Sequence, residues 1–202
     1  MAESRILCSA TVTDSTMKTN TKLVMSPTTL YINCFGTPQI MRHQAQLTPP
    51  LGGKALALFL YLAATGRPQS RDRLADLLWD ELTSQQARNN LRYVLPELRK
   101  AAGDHLLITP HMITFDRSQP YELDSERFRH TLTTALDTVP TAELQAVLDL
   151  YHGDFLAGFR VRNAPIFEEW VTRQQEELHT LAVGGLHHLA ERYYNAGHYT
   201  EG

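Results

Sequence analysis

The chain of 202 residues is short of the groups that small-molecule chemistry needs. It has two cysteines, Cys8 and Cys34. That leaves no Cys-x-x-Cys pair for zinc and no disulfide framework, so both are expected as free thiols in a reducing cytoplasm. There is no His-Glu-x-x-His. His179, His187 and His188 approach a metal-ligand count, but the first is two turns from the pair and no cysteine accompanies them, so a solvated histidine cluster is expected. A Gly-x-x-x-x-Gly-Lys-Ser/Thr phosphate cradle is missing. No Ser-His-Asp set can be assigned from spacing. No catalytic residue, cofactor or metal ligand can be named, and an enzyme is not expected.

Long apolar runs are missing too. The longest, Ala55–Ala64, falls well short of the ~20 residues that span a bilayer, and reads as a buried helix. The N-terminus carries no apolar core of a signal peptide, so the expected location is cytoplasmic. Residues 1–27 are rich in Ser, Thr and Lys without period, and are expected to form a disordered arm. They are too few to hold a phospho-acceptor receiver domain.

What is present is ordinary in amount and uneven in placement. Hydrophobic residues make up 43% and charged residues 20%, with a formal net charge of −3. Residues 1–117 hold 13 Lys and Arg against 9 Asp and Glu, a net +4, while residues 118–202 hold 6 against 13, a net −7. A basic half joined to an acidic half suits one nucleic-acid face and one face for something else.

The stretch TSQQARNNLRYVLPELRKAAG, Thr83 to Gly103, concentrates the basic charge. Thr83 or Ser84 can cap a helix, with Gln86 at capping-box spacing from Thr83. Gly103 can end it, with Arg99 and Lys100 in the last turn where cations suit the helix dipole. Leu91, Leu95, Leu98 and Ala102 make one apolar stripe. The remaining surface presents Arg88, Asn89, Arg92, Tyr93, Arg99 and Lys100, residue types that reach guanine, adenine and phosphate in a DNA major groove. An ordinary amphipathic helix with a solvated face is the alternative. Two residues fit a DNA-facing helix poorly: Pro96, which is expected to kink the helix without ending it, and Glu97, whose charge would stand near phosphates.

A helix capped by Ser70 precedes this stretch, with Leu74, Leu77 and Leu78 on its apolar face and Trp79 expected in packing. Two β-prone runs follow, Leu106–Thr109 and Met112–Asp116, a hairpin with Thr109 and His111 near its tip. Ahead lie three candidate strands, Thr29–Cys34, Gln39–Arg42 and Ala45–Thr48, and a helix over Leu51–Ala64. The order is that of a winged helix-turn-helix. The runs RLADLLWDEL and ARNNLRYVLPELRKAAG, and the hairpin before LDSERF, resemble the DNA-binding domain of SARP-type bacterial transcriptional activators, which have a response-regulator (OmpR-like) winged helix. LYHGDFLAGF and FEEWV resemble the bacterial transcriptional activation domain that accompanies it.

The expected architecture is an α+β winged helix-turn-helix domain over 28–117, followed by an all-α tetratricopeptide-like domain over 118–202, with DRSQP (116–120) as the linker. In the second part Asp124 or Ser125 is expected to cap a helix to Leu136, Thr141–Tyr151 to form another, and Pro165 to open a long one to Asn195. Gly184-Gly185 marks a bend or a close helix contact in it. The chain stops at AGHYTEG, where a repeat would turn into its second helix, so the helical domain is expected to be partial and cut from a longer regulator. The resemblance implies double-stranded DNA as one partner and RNA polymerase as another, with tandem direct repeats as sites on which two copies could sit as a homodimer. The rival expectation is a helical-repeat scaffold whose winged helix is degenerate and binds protein only. Separate domains also imply that removing everything after Asp116 leaves DNA binding intact.

Overall fold

The computed structural model describes residues 29–42, 45–46 and 51–197. The expected arm, Cys8 and the end of the third candidate strand lie outside these residues. β1 (Leu30–Asn33), β2 (Gln39–Arg42) and β3 (Ala45–Gln46) pair antiparallel in sequence order. β1 is buried almost throughout, as its β-branched and aromatic run suggests. α1 (Gly53–Thr65) follows and buries nearly all its circumference, from Ala55 to Ala63.

β4 (Gln69–Ser70) leads into α2 (Arg71–Trp79), where the Ser70 hydroxyl accepts the N–H of Arg73 as the cap. α3 (Ser84–Ala102) comes next and packs on α2, with the hairpin β5 (Leu106–Ile108) and β6 (Met112–Phe115) after it. β4, β6 and β5 form a small antiparallel sheet. Trp79 is 7% exposed, packed under Lys54, whose ammonium sits 4.9 Å from its ring centroid.

The next strand returns to the start of the chain. β7 (Tyr121–Leu123) pairs in parallel with β1, Leu30 opposite Tyr121 and Ile32 opposite Leu123. α4 (Asp124–Thr133), α5 (Thr141–Leu148) and α6 (Pro165–Asn195) complete the fold. An α+β part is therefore followed by a helical part. The helical ends differ from expectation in two places. Residues Leu136–Thr138 form a separate 3-10 turn, and α5 stops three residues early. Asp124 is the first residue of α4 and not its cap. Its carboxylate reaches back across the molecule and accepts the backbone N–H groups of Cys34 at 2.7 Å and Phe35 at 3.0 Å, beside that of Ser125 at 2.6 Å.

Packing runs straight across position 117/118. Phe35 stacks edge-on against Phe128 at 5.0 Å and against Tyr151 at 5.2 Å, and Tyr61 of α1 against Trp170 of α6 at 4.9 Å. Backbone bonds add to this: Gly36 N–H donates to the Asp154 carbonyl and Leu156 N–H to that of Cys34. One apolar core holds side chains from every helix. Removing residues after Asp116 would strip β7 from β1 and lay this core open to water, which argues against the expectation that such a fragment keeps its DNA binding.

Two further expectations resolve here. Gly185 is a close contact: a Cβ there would stand 2.8 Å from Leu132 Cδ2 and 2.9 Å from Leu148 Cδ2, whereas Gly184 faces open space. The three histidines meet three different partners. His179 Nδ1 lies 3.3 Å from the Tyr151 hydroxyl, His187 Nε2 3.3 Å from Glu191 Oε1, and His188 Nε2 3.4 Å from Asp137 Oδ1. Cys34 is a free, fully buried thiol, and burial pushes its pKa well above the ordinary value, with the Asp124 charge adding to the shift.

Candidate nucleic-acid interface

α3 is built by local rules. Thr83 and Gln86 close a capping box, the Gln86 N–H donating to the Thr83 hydroxyl and the Thr83 N–H to Gln86 Oε1 at 3.2 Å. Ala87, Leu91, Leu95, Leu98 and Ala102 are buried. That seam fixes the rotation of the helix and leaves Arg88, Asn89, Arg92, Tyr93, Arg99 and Lys100 exposed, Tyr93 at 81%. The helix runs unbroken through Pro96, which is exposed. Gly103 at φ +59° ends it, a conformation glycine takes at little cost, and its N–H donates to the Arg99 carbonyl. Arg42 of β2 completes the C-terminus by donating to the Ala102 carbonyl at 2.8 Å, where the dipole favours a cation.

The hairpin tip is fastened beside this helix. The Thr109 hydroxyl accepts the Met112 N–H at 2.9 Å and so closes the turn, while His111 stays exposed. Arg71, at the start of α2, holds the tip twice: its N–H donates to the His111 carbonyl at 3.0 Å and its Nε to the Thr109 carbonyl at 3.0 Å. Arg71 was not among the residues expected from sequence. Its one local signal is a cation directly after a helix cap, where the dipole disfavours it.

Two clefts lie along the face. One, of about 350 Å³, is lined by Arg71, Asp72, Arg88, Asn89, Arg92 and His111. The other, of about 490 Å³, is lined by Arg71, Arg92, Pro96, Arg99, Lys100 and Ile108. Arg71 and Arg92 border both. Tyr93 and Thr109 line neither. Within the first cleft Arg88 Nε sits 3.1 Å from Asp72 Oδ1. Asn89 Oδ1 accepts from Gln85 Nε2 at 3.3 Å. The larger groove of about 1030 Å³, between the β1–β7 sheet and α4, is lined by apolar residues such as Tyr31, Met41 and Leu123 with charges of both signs, and touches none of these basic residues.

Glu97 has a different place from the one expected. Its carboxylate accepts the N–H of Gly52 at 3.0 Å, at the head of α1. α1 has a glycine cap without a side chain and no acid in its first turn, so Glu97 supplies the anion from another helix. It is a cap for α1, a role that the sequence did not announce.

No protein-family model matches the chain, and no curated protein matches it. Among solved structures it is similar to Mycobacterium tuberculosis EmbR in complex with a low affinity phosphopeptide, with a TM-score of 0.63 and 20% sequence identity. The match covers 83% of this chain and 46% of that one, so the chain spans about half the length of EmbR. No helix among the described residues is long and apolar enough to cross a membrane. At this identity the likeness is one of fold, and the architecture described above is the one that the matched part of EmbR shares.

Proposed function

We propose that the chain is a sequence-specific, double-stranded-DNA-binding transcriptional regulator of the SARP type. Its winged helix would read a promoter repeat, and its helical half would contact RNA polymerase. The observation that carries this reading is the exposed cationic face of α3 with the hairpin tip fastened alongside it by Arg71. α3 carries Arg88, Arg92, Arg99 and Lys100 against Glu97, and Glu97 is engaged with Gly52. A helix with buried leucines and free cations enters a major groove, and an adjoining hairpin reaches the flanking backbone. The likeness of fold to EmbR agrees with this reading. The acidic charge of residues 118–202 makes that half a poor second DNA contact and leaves it for a protein partner.

Gel-shift titrations at several salt concentrations, after selection of sites from random duplexes, test the proposal. A selected site bound with a strong salt slope is the expected result. Arg92→Ala should cost about 1–3 kcal/mol of binding at that site, while Lys100→Ala should weaken all sequences alike. Salt-independent or absent duplex binding by the folded chain would favour the protein-only scaffold.

A further inference from the structure

Arg88 differs from the other cations of α3. Among the described residues, Arg92, Arg99 and Lys100 have no carboxylate within ion-pairing distance, whereas Arg88 is held by Asp72 through Nε at 3.1 Å. Both side chains remain largely exposed, 54% for Arg88 and 69% for Asp72. An exposed pair of this kind adds little to stability. Asp72 also places a negative charge in a cleft whose other lining includes the cations Arg71, Arg88 and Arg92, which is a poor choice if the cleft only attracts phosphate.

The geometry of the guanidinium gives the pair another use. The group is planar and rigid, with five N–H bonds in a fixed fork. A carboxylate on Nε leaves the outer edge, formed by the two terminal nitrogens, turned away and free. That edge matches guanine O6 and N7 in the major groove. Arg88 also stands in the first half of α3, and the N-terminal residues of a recognition helix are the ones that reach base edges. Asn89 beside it is likewise steadied, by Gln85.

We propose that Arg88 is a specificity-determining residue that reads one guanine, and that Asp72 is its positioning residue. This rests on the DNA-binding reading above. The unpaired Arg99 and Lys100 then supply affinity that ignores sequence, and the Asp72–Arg88 pair supplies discrimination at some cost in affinity. Removing Asp72 therefore has two effects of opposite sign. Binding to random duplex rises, because a repelling charge is gone and Arg88 can swing to a phosphate. Preference for one guanine falls, because the fork is no longer aimed.

The experiment selects sites from random duplexes with the wild-type chain, Asp72→Asn and Arg88→Lys, then measures affinity for the selected site with guanine or 7-deazaguanine at each position. For the wild type, one 7-deazaguanine should weaken binding by about tenfold, because it removes the N7 acceptor and leaves O6 alone of the bidentate contact. Asp72→Asn should keep its melting temperature, bind random duplex a few-fold tighter, and lose most of the sensitivity at that position. Arg88→Lys keeps the charge but loses the fork and the Nε that Asp72 holds, and because lysine can still meet guanine O6 and N7 it should lose part of the same sensitivity with an unchanged salt slope. Tighter binding by Asp72→Asn with the guanine preference intact would overturn the inference and leave the DNA-binding reading standing. Absence of any selected site for the wild type would overturn both. If Asp72→Asn fails to fold, Arg88→Lys decides alone, and undiminished guanine sensitivity in that variant overturns the assignment.

Discussion

α3 and α6 are the two long helices of the molecule, and they hold charge of opposite sign in different ways. α3 carries a net +3, and among the described residues three of its four cations have no carboxylate within ion-pairing distance. α6 carries a net −3, and much of its charge is tied into the fold. Glu177 pairs with Arg129 of α4, Glu168 pairs with Arg160 at 2.7 Å and accepts the Val161 N–H, and Arg192 donates to the carbonyls of Leu136 and Val139. Charge that is already satisfied holds helices together. Charge left unsatisfied on one exposed face is available to a partner. Sign alone does not mark a functional surface: among the described residues the charged side chains with neither an ion pair nor a hydrogen bond are three cations on α3, whereas on α6 they are Glu169, Arg173 and Glu176, of both signs.

Separating the two helices has the largest expected effect. A fragment ending at Asp116 loses β7 from β1 and loses Phe128 and Trp170 from against Phe35 and Tyr61. It is expected to be unfolded, with neither cooperative melting nor sequence-selective DNA binding. A cooperative transition in circular dichroism from that fragment would show that the α3 side stands alone.

Adjacent glycines in α6 give the next contrast. Gly184→Ala adds a methyl in open space and should raise stability by about 1 kcal/mol, the ordinary helix preference of alanine. Gly185→Ala forces Leu132 and Leu148 to move. Overpacking of about 1–3 kcal/mol outweighs the same helix gain, so stability should fall. Denaturant midpoints for both variants decide the matter, and equal shifts would deny the close contact.

On α3, Glu97→Gln keeps an acceptor for Gly52 but loses the charge at the α1 N-terminus, a change worth less than about 1 kcal/mol. Glu97→Arg removes the cap and puts a cation at the positive end of α1. It should lower the melting temperature more than Glu97→Gln while steepening the salt dependence of DNA binding. A higher melting temperature for the arginine variant would contradict the role of Glu97 as a cap.

The smallest expected effect lies between the two regions, at Asp124. Burial raises its pKa, outweighing the backbone N–H groups of Phe35, Cys34 and Ser125 that favour the charged form. A carboxyl raised on folding binds its proton more tightly in the folded chain. Its contribution is fully present below the ordinary carboxylate value and is lost as pH rises through the folded value. Urea midpoints should therefore show a small decline across that acidic window. The decline should vanish in Asp124→Asn.

The parts that could be read from sequence are those whose causes are local. The capping box at Thr83 and Gln86, the leucine seam of α3, the Gly103 end, the Ser70 cap and Pro165 at the start of α6 all involve residues within one or two turns of each other. What escaped depends on distant partners. Glu97 answers to Gly52, Arg71 to the hairpin tip, Asp72 to Arg88, and Asp124 to the end of β1. Asp124 is instructive, because a local rule made it a helix cap and burial beside Cys34 gave it other donors. The strand Tyr121–Leu123 is three residues long and offers no periodic signal, so nothing local announced that it pairs with β1.

That pairing also bears on how the protein comes into being. β1 cannot gain its parallel neighbour until the ribosome has delivered Leu123, some ninety residues later by the register of Ile32 with Leu123. Until then one edge of β1 has no hydrogen-bonding neighbour, and Phe35 lacks the ring of Phe128. Closing so long a loop is entropically slow compared with winding α1, α2 and α3. Birth of this molecule should proceed from the middle outward: the helices and hairpin around α3 first, the N-terminal sheet last, sealed when the late strand docks.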